Sequence, residues 1–208
     1  ESARSNFVPT TVTEKMSDAF DGLIARYAKL ARAGQIELSM TPYSHPIVPL
    51  LIDLDAMHGA LPEAEGPEGK VYPGGLERAR WHMEEGLRVF ERHFGSRPKG
   101  VWLSEGGVSD AALALLGEFD IEWTATGEGV WNNSRVLSAM ESDDEEARRS
   151  LFCAHTLKDC ETRLFFRVQP PSLEDIQEMP EGSILCCFIY AQREPEIVKA
   201  LRDKRIIC

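Results

Sequence analysis

Apolar residues recur along the chain with two different periods, and the alternation between those periods predicts the architecture. Met16, Phe20, Leu23, Ile24, Tyr27 and Leu30 return at every third or fourth position, the spacing of one helix face. Thr11 and Glu14 ahead of them have capping-box spacing, and Gly34 ends the run. Gln35 to Met40 then alternates as a strand does, with Ile36 and Leu38 on one side and Glu37 on the other. Pro42 and Pro46 break it within TPYSHP, and a second apolar run follows from Ile47 to Leu54. Pro62 to Gly75 is rich in Pro, Gly and Glu and predicts a loop. Leu76, Ala79, Met83, Leu87, Phe90 and Phe94 mark a long helix that Gly95 stops.

The stretch from Arg97 to Trp131 organises the rest. A short apolar run (Gly100 to Leu103) leads into Glu105, Gly106 and Gly107, then an amphipathic helix, then a second strand from Ile121 to Ala125. Strands alternating with helices of this length predict a parallel sheet or barrel rather than a bundle. A carboxylate where a buried strand gives way to a glycine-bearing loop lies at the carboxyl edge of such a sheet, where these folds keep their chemistry.

Beyond Trp131 the pattern is less regular. Glu141 to Arg149 is a charge run, read as a solvated loop or helix start. LFCAHT and TRLFFRV read as two strands joined by a polar turn. From Val168 the expectation is a proline-marked loop, a short acidic helix, a strand from Ser183 to Tyr190, a helix from Glu194 to Asp203 and a further strand beginning at Arg205.

Composition narrows the function classes. At 208 residues and 43% hydrophobic, the chain has enough apolar surface for one sizeable core. With 34 acidic against 23 basic residues the net charge is −11, and no Lys/Arg cluster is present, which argues against nucleic acid or an anionic membrane as partner and is compatible with a neutral substrate. No apolar run reaches the roughly 18 residues of a membrane span. The chain has no starting Met and no signal-like segment, so it is expected to begin inside a longer protein. The odd set of five cysteines, two of them adjacent, points to a reducing compartment and hence a cytoplasmic location.

Each candidate residue carries a plain reading beside the chemical one. Glu105 is either a catalytic carboxylate or a surface acid after a strand, and Glu37 is either a ligand contact or the solvent face of its strand. His45, stiffened between prolines, has the donors and acceptors to bind a sugar hydroxyl or is a surface histidine. Glu128, in ATGEGV, repeats the acid between glycines after a strand. Metal and cofactor sites are not expected. His82 and His93 share a helix face at a separation of about 16 Å. Cys153 and Cys160 lack zinc spacing, and there is no phosphate loop and no Gly-x-Ser-x-Gly elbow.

Three blocks in order, GQIELSMTPYSHPIVPLL, YPGGLERARWHMEEGLRVFERHFG and GVWLSEGGVSDAALALLGEFDIEWTATGEGVW, resemble glycoside hydrolase family 57, in its amylopullulanase and α-amylase-like branch, over roughly residues 7–167. The resemblance implies an α/β fold, an incomplete seven-stranded (β/α) barrel, acting on an α-glucan or oligosaccharide by a retaining mechanism. It puts Glu105 on the catalytic nucleophile and Glu37, His45 and Trp102 beside the sugar; Glu128 joins them as a candidate substrate contact on its own local pattern. It also implies an acid/base aspartate directly after the strand resembling TRLFFR, where this chain has Val168, and a first strand ahead of residue 1. Half of a catalytic pair is therefore expected, and an incomplete barrel with open edges is expected to be marginally stable. Residues 168–208 are similar to part of the amino-terminal domain of the alanine dehydrogenase and NAD(P) transhydrogenase α-subunit family, short of its dinucleotide-binding glycines. The domain expectation is thus 1–167 as barrel and 168–208 as an appended α/β fragment. Besides a hydrolase or glucanotransferase, a carbohydrate-binding domain without turnover remains open. A metal-dependent deacetylase would need a His-x-x-x-His pair, and the chain has none.

Overall fold

The structure, a computed structural model, describes residues 22–59, 61–66, 71–137, 149–158, 160–168, 171–185, 187 and 193–206. Helix α1 spans Leu23–Arg32 and starts after Gly22, whose φ of 72° turns the chain into it. The Thr11/Glu14 cap and the first turns expected of this helix lie outside the described residues. A short helix α2, Val48–Ile52, and a 3₁₀ segment, Leu54–Gly59, take up the second apolar run.

Helix α3, Gly75–Phe94, is the longest of the described elements. Its buried residues Ala79, Met83, Gly86, Leu87 and Phe90 form one stripe, and Gly95 at φ 76° donates its N–H to the Glu91 carbonyl to close the end. Arg92 and His93 in the last turn complement the helix dipole. Two glycines let this helix sit close: a Cβ on Gly75 would fall 1.6 Å from the Leu51 carbonyl oxygen, and one on Gly86 only 3.1 Å from Met40 Cε.

Strand β1, Gly100–Val101, is followed by a 3₁₀ turn, Ser104–Gly106, and helix α4, Asp110–Glu118, whose N-cap Ser109 hydroxyl accepts from the Ala112 N–H. Strand β2, Trp123–Gly127, runs directly into helix α5, Glu128–Leu137, and strand β3 is Arg163–Arg167. The three strands form a parallel sheet in the order β1-β2-β3, with Gly100 opposite Trp123 and Gly127 opposite Arg167. The expected parallel α/β arrangement is present. Among the described residues it comprises three strands, not the seven of a barrel. None of the described helices is long and apolar enough to cross a membrane.

Three expected strands differ. Of Gln35 to Met40, only Met40 pairs, as a single parallel bridge to Val101. The side chains alternate in exposure as predicted, but β1 begins only at Gly100, so the ladder reaches Met40 and none of positions 35–39. LFCAHT is a turn with one antiparallel bridge, His155 to Leu164. There His155 Nε2 donates to the Ser150 carbonyl at 2.7 Å and curls the backbone out of extension. Arg205 does not open a strand: at φ 54° it closes the end of helix α7, Pro195–Asp203, with its N–H on the Arg202 carbonyl. The short acidic helix is α6, Leu173–Glu178, with a capping box between Ser172 and Asp175. Of the Ser183–Tyr190 strand, the described part is 183–185 and 187, and its Ile184 N–H donates to the Phe152 carbonyl at 3.1 Å. The charge run lies outside the described residues except for Arg149.

Among the described residues the core has two clusters. The first joins Met40, Val48, Met83, Phe90, Val101, Leu103, Leu116 and Ile121 between the sheet and helices α2, α3 and α4. The second is Ile176, Met179, Leu185 and Leu201, with Phe152 and Val168 packed against it.

Candidate functional site

Two loops leave the carboxyl edge of the sheet side by side, and each turns by the same device. After Met40, Ser44 and His45 stand at φ 60° and 55°; after β1, Glu105 and Gly106 stand at φ 57° and 68°. Three of these four residues carry a side chain in the left-handed region, which costs on the order of 1 kcal/mol each and persists only where the surroundings impose it. Gly106 is needed for space as well, since a Cβ there would be 3.2 Å from the Trp102 ring.

The surroundings that impose these turns are hydrogen bonds from neighbouring strands. Trp102 N–H donates to the Met40 carbonyl at 2.8 Å, and the Thr41 hydroxyl donates to the Trp102 carbonyl at 2.6 Å. The buried Thr126 hydroxyl, on β2, donates to the Gly106 carbonyl at 2.6 Å, and Thr124 does the same for Val101 at 2.7 Å. Thr124 thus satisfies a carbonyl of β1 and Thr126 one of the turn after it, and the second bond ties the Glu105 turn to the centre of the sheet.

The result is a carboxylate held out into solvent on a fixed stem. The Glu105 side chain is 76% exposed, and its Oε1 lies 3.9 Å from His45 Nε2, a contact that becomes an ion pair when the imidazole is protonated. Trp102 is half-buried, with its ring close to Gly106 and the Arg167 guanidinium 5.4 Å from the ring centroid. Arg167 ends β3 at the same carboxyl edge, and Glu128 follows the last residue of β2 there. Glu105 with His45 and Trp102 with Arg167 are thus two contacting pairs at one edge of the sheet, with Glu128 on the same edge.

Glu37 lies elsewhere. Its Oε1 accepts the Trp123 indole N–H at 2.5 Å, and Trp123 is the first residue of β2, at the amino edge. There Glu37 lines a groove of about 520 Å³ with Gln35, Arg97 and Lys99. Arg167 was not singled out in the sequence; its only signal is an arginine closing an apolar strand. No group of three or more His, Cys, Asp or Glu among the described residues is placed to hold a metal ion.

The sequence model of glycosyl hydrolase family 57 matches residues 8–173. No curated protein matches the chain. Among solved structures, the α-amylase AmyC from Thermotoga maritima is similar at 16% identity and TM-score 0.48, over 74% of this chain and 24% of that one. A GH57-type branching enzyme from Pyrococcus horikoshii gives 19% identity and TM-score 0.49, over 74% and 26%. A GH57 branching enzyme from Thermococcus kodakaraensis, solved with glucose, gives 19% and 0.47, over 74% and 28%. The chain therefore spans about a quarter of the length of the solved structures it matches.

Proposed function

Because the chain belongs to glycosyl hydrolase family 57, we propose that it carries part of a retaining α-glucan hydrolase or glucanotransferase site, on a barrel of which β1 to β3 are one segment. The observation that supports this reading is the Glu105 turn: an exposed carboxylate on a pinned, left-handed stem at the carboxyl edge, facing His45, with the adjoining Gly106 close to the Trp102 ring.

In a retaining mechanism one carboxylate attacks the anomeric carbon and forms a glycosyl-enzyme, while a second carboxyl about 5–5.5 Å away protonates the leaving oxygen and then activates water or an acceptor sugar. Glu105 is the nucleophile in this proposal. His45 and Glu128 contact sugar hydroxyls, and Trp102 offers its ring to the apolar face of a pyranose, steadied by Arg167. Glu37 contacts substrate only if a sugar reaches the amino side of the sheet. The second carboxyl is not supplied after β3, where Val168 instead packs on the second core cluster. This favours binding without turnover by the 208-residue chain itself.

The test is calorimetry and product analysis with maltooligosaccharides. Binding without product is expected, weakened by Trp102→Ala. Cleavage that Glu105→Gln abolishes would place the acid within this chain and overturn the claim of inactivity. No binding at millimolar glucan would sink the glucan reading. The division near residue 167 belongs to the same proposal and is checked by reading the source DNA across the codons for Leu151 to Tyr190; a continuation from Arg167 into an aspartate would refute it. A cytoplasmic location belongs to the same proposal, in keeping with the unbridged Cys153 and Cys160.

A further inference from the structure

Tyr43 and Trp81 form an exposed aromatic pair on the rim of the candidate site. Tyr43 is 40% exposed and Trp81 51%, and their ring centroids lie 5.8 Å apart at an interplanar angle of 88°. Two hydrogen bonds fix the pair. Tyr43 N–H donates to the His82 carbonyl at 3.0 Å, and His82 Nδ1 donates to the Tyr43 carbonyl at 2.7 Å. Gly86 permits the approach, since a Cβ there would lie 3.2 Å from Tyr43 N.

The pair is continuous with the site. The loop carrying Tyr43 runs through Ser44 to His45, whose imidazole is 3.9 Å from Glu105. Trp81 is on the N-terminal half of α3, the end from which the helix descends from the carboxyl edge toward Gly95 and β1. A tryptophan kept half in water costs solvation that a polar residue would avoid, and such surface next to a site marks where a ligand lies. Two nearly perpendicular rings with one phenol hydroxyl suit a neutral molecule with apolar faces and hydroxylated edges. A pyranose chain has that chemistry: C–H faces for the indole and ring edges for Tyr43.

We propose that Tyr43 and Trp81 are an outlying stacking subsite for an α-glucan chain, holding sugar units beyond those at Glu105. This rests on the glucan reading above and makes affinity at the rim depend on chain length. The test is calorimetric titration of the 208-residue chain, Trp81→Ala and Trp81→Phe with maltose and with maltoheptaose. Trp81→Ala is expected to weaken maltoheptaose roughly five- to tenfold, the scale of one aromatic contact, and maltose by less than about twofold. Trp81→Phe, which keeps a ring against Tyr43, should fall between. Wild-type binding with no loss in Trp81→Ala, or with equal loss for both sugars, overturns the subsite and leaves the glucan reading standing. Absence of wild-type binding to either sugar overturns both.

Discussion

The two core clusters do different work. Among the described residues the first has thirteen buried side chains, from Met40, α2, α3, β1, Leu103, α4 and Ile121, and it underlies the loops that carry His45 and Glu105. The second has four, from α6, α7 and the segments around them, and holds no site residue. The first lies wholly inside the matched residues 8–173, whereas all four of the second, Ile176, Met179, Leu185 and Leu201, lie beyond them. Small clusters bury too little apolar surface to resist local opening. The site should therefore keep its geometry when the second cluster loosens, and lose it when the first does.

The largest effect comes from cutting each cluster in turn. Leu116 is 0% exposed and Leu201 4%. Leu116→Ala should cost about 3–5 kcal/mol and speed amide exchange through α3, α4 and β2 together, with loss of sugar binding. Leu201→Ala should speed exchange in α6 and α7 while α4 stays protected and binding survives. Exchange rising equally in α4 after Leu201→Ala would show that the two clusters unfold as one unit.

A finer cut separates the two edges of the sheet. Thr126 and Thr162 are both buried and both donate to a carbonyl, Gly106 at 2.6 Å and Ile121 at 2.8 Å. Replacing either with valine leaves a buried carbonyl unpaired, at a cost of about 1–3 kcal/mol. The stability losses in urea should be alike, but only Thr126→Val releases the Glu105 turn, so it alone should weaken maltooligosaccharide binding. Equal effects on binding would mean the pinned turn does not shape the site.

How much of this was legible in the sequence follows from the range of the forces involved. Helix α3 and the strand-turn-helix around Glu105 rest on local periodicity and on glycines, and both were readable. The strand at 35–40 was not. Its alternating pattern describes burial, whereas strand identity needs a ladder partner, and the two-residue β1 supplies one only to Met40. The stacking of Arg167 on Trp102 depends on the register that sets Gly127 opposite Arg167 and has no local sign. Nor do Ser44, His45 and Glu105 announce a left-handed backbone, because their neighbours in space, not their own preferences, hold it. Glu37 depends on distant partners too: the family resemblance implies a place beside the sugar, and the structure adds a hydrogen bond from the Trp123 indole, 86 residues on, that no local pattern announces.

The smallest effect tests the exposed join between two helices of the first cluster. Arg80 on α3 and Glu118 on α4 make a two-pronged pair, Nε to Oε2 at 2.8 Å and Nη2 to Oε1 at 2.9 Å. The hydrogen bond from Arg80 holds the Glu118 carboxyl below its ordinary range. A lowered carboxyl pKa means that the unfolded chain binds the proton more readily, so the pair stabilises the fold above the ordinary glutamate range and ceases to do so as pH falls through the lowered value. Both side chains are solvated, which keeps the contribution small and sensitive to salt. Glu118→Gln should therefore melt slightly below wild type at neutral pH and low salt. The gap should close as the pH falls through the range in which Glu118 is protonated in wild type, and added salt should narrow it at neutral pH. A gap that persisted unchanged in acid would show that Glu118 acts through packing on α4 rather than through its charge.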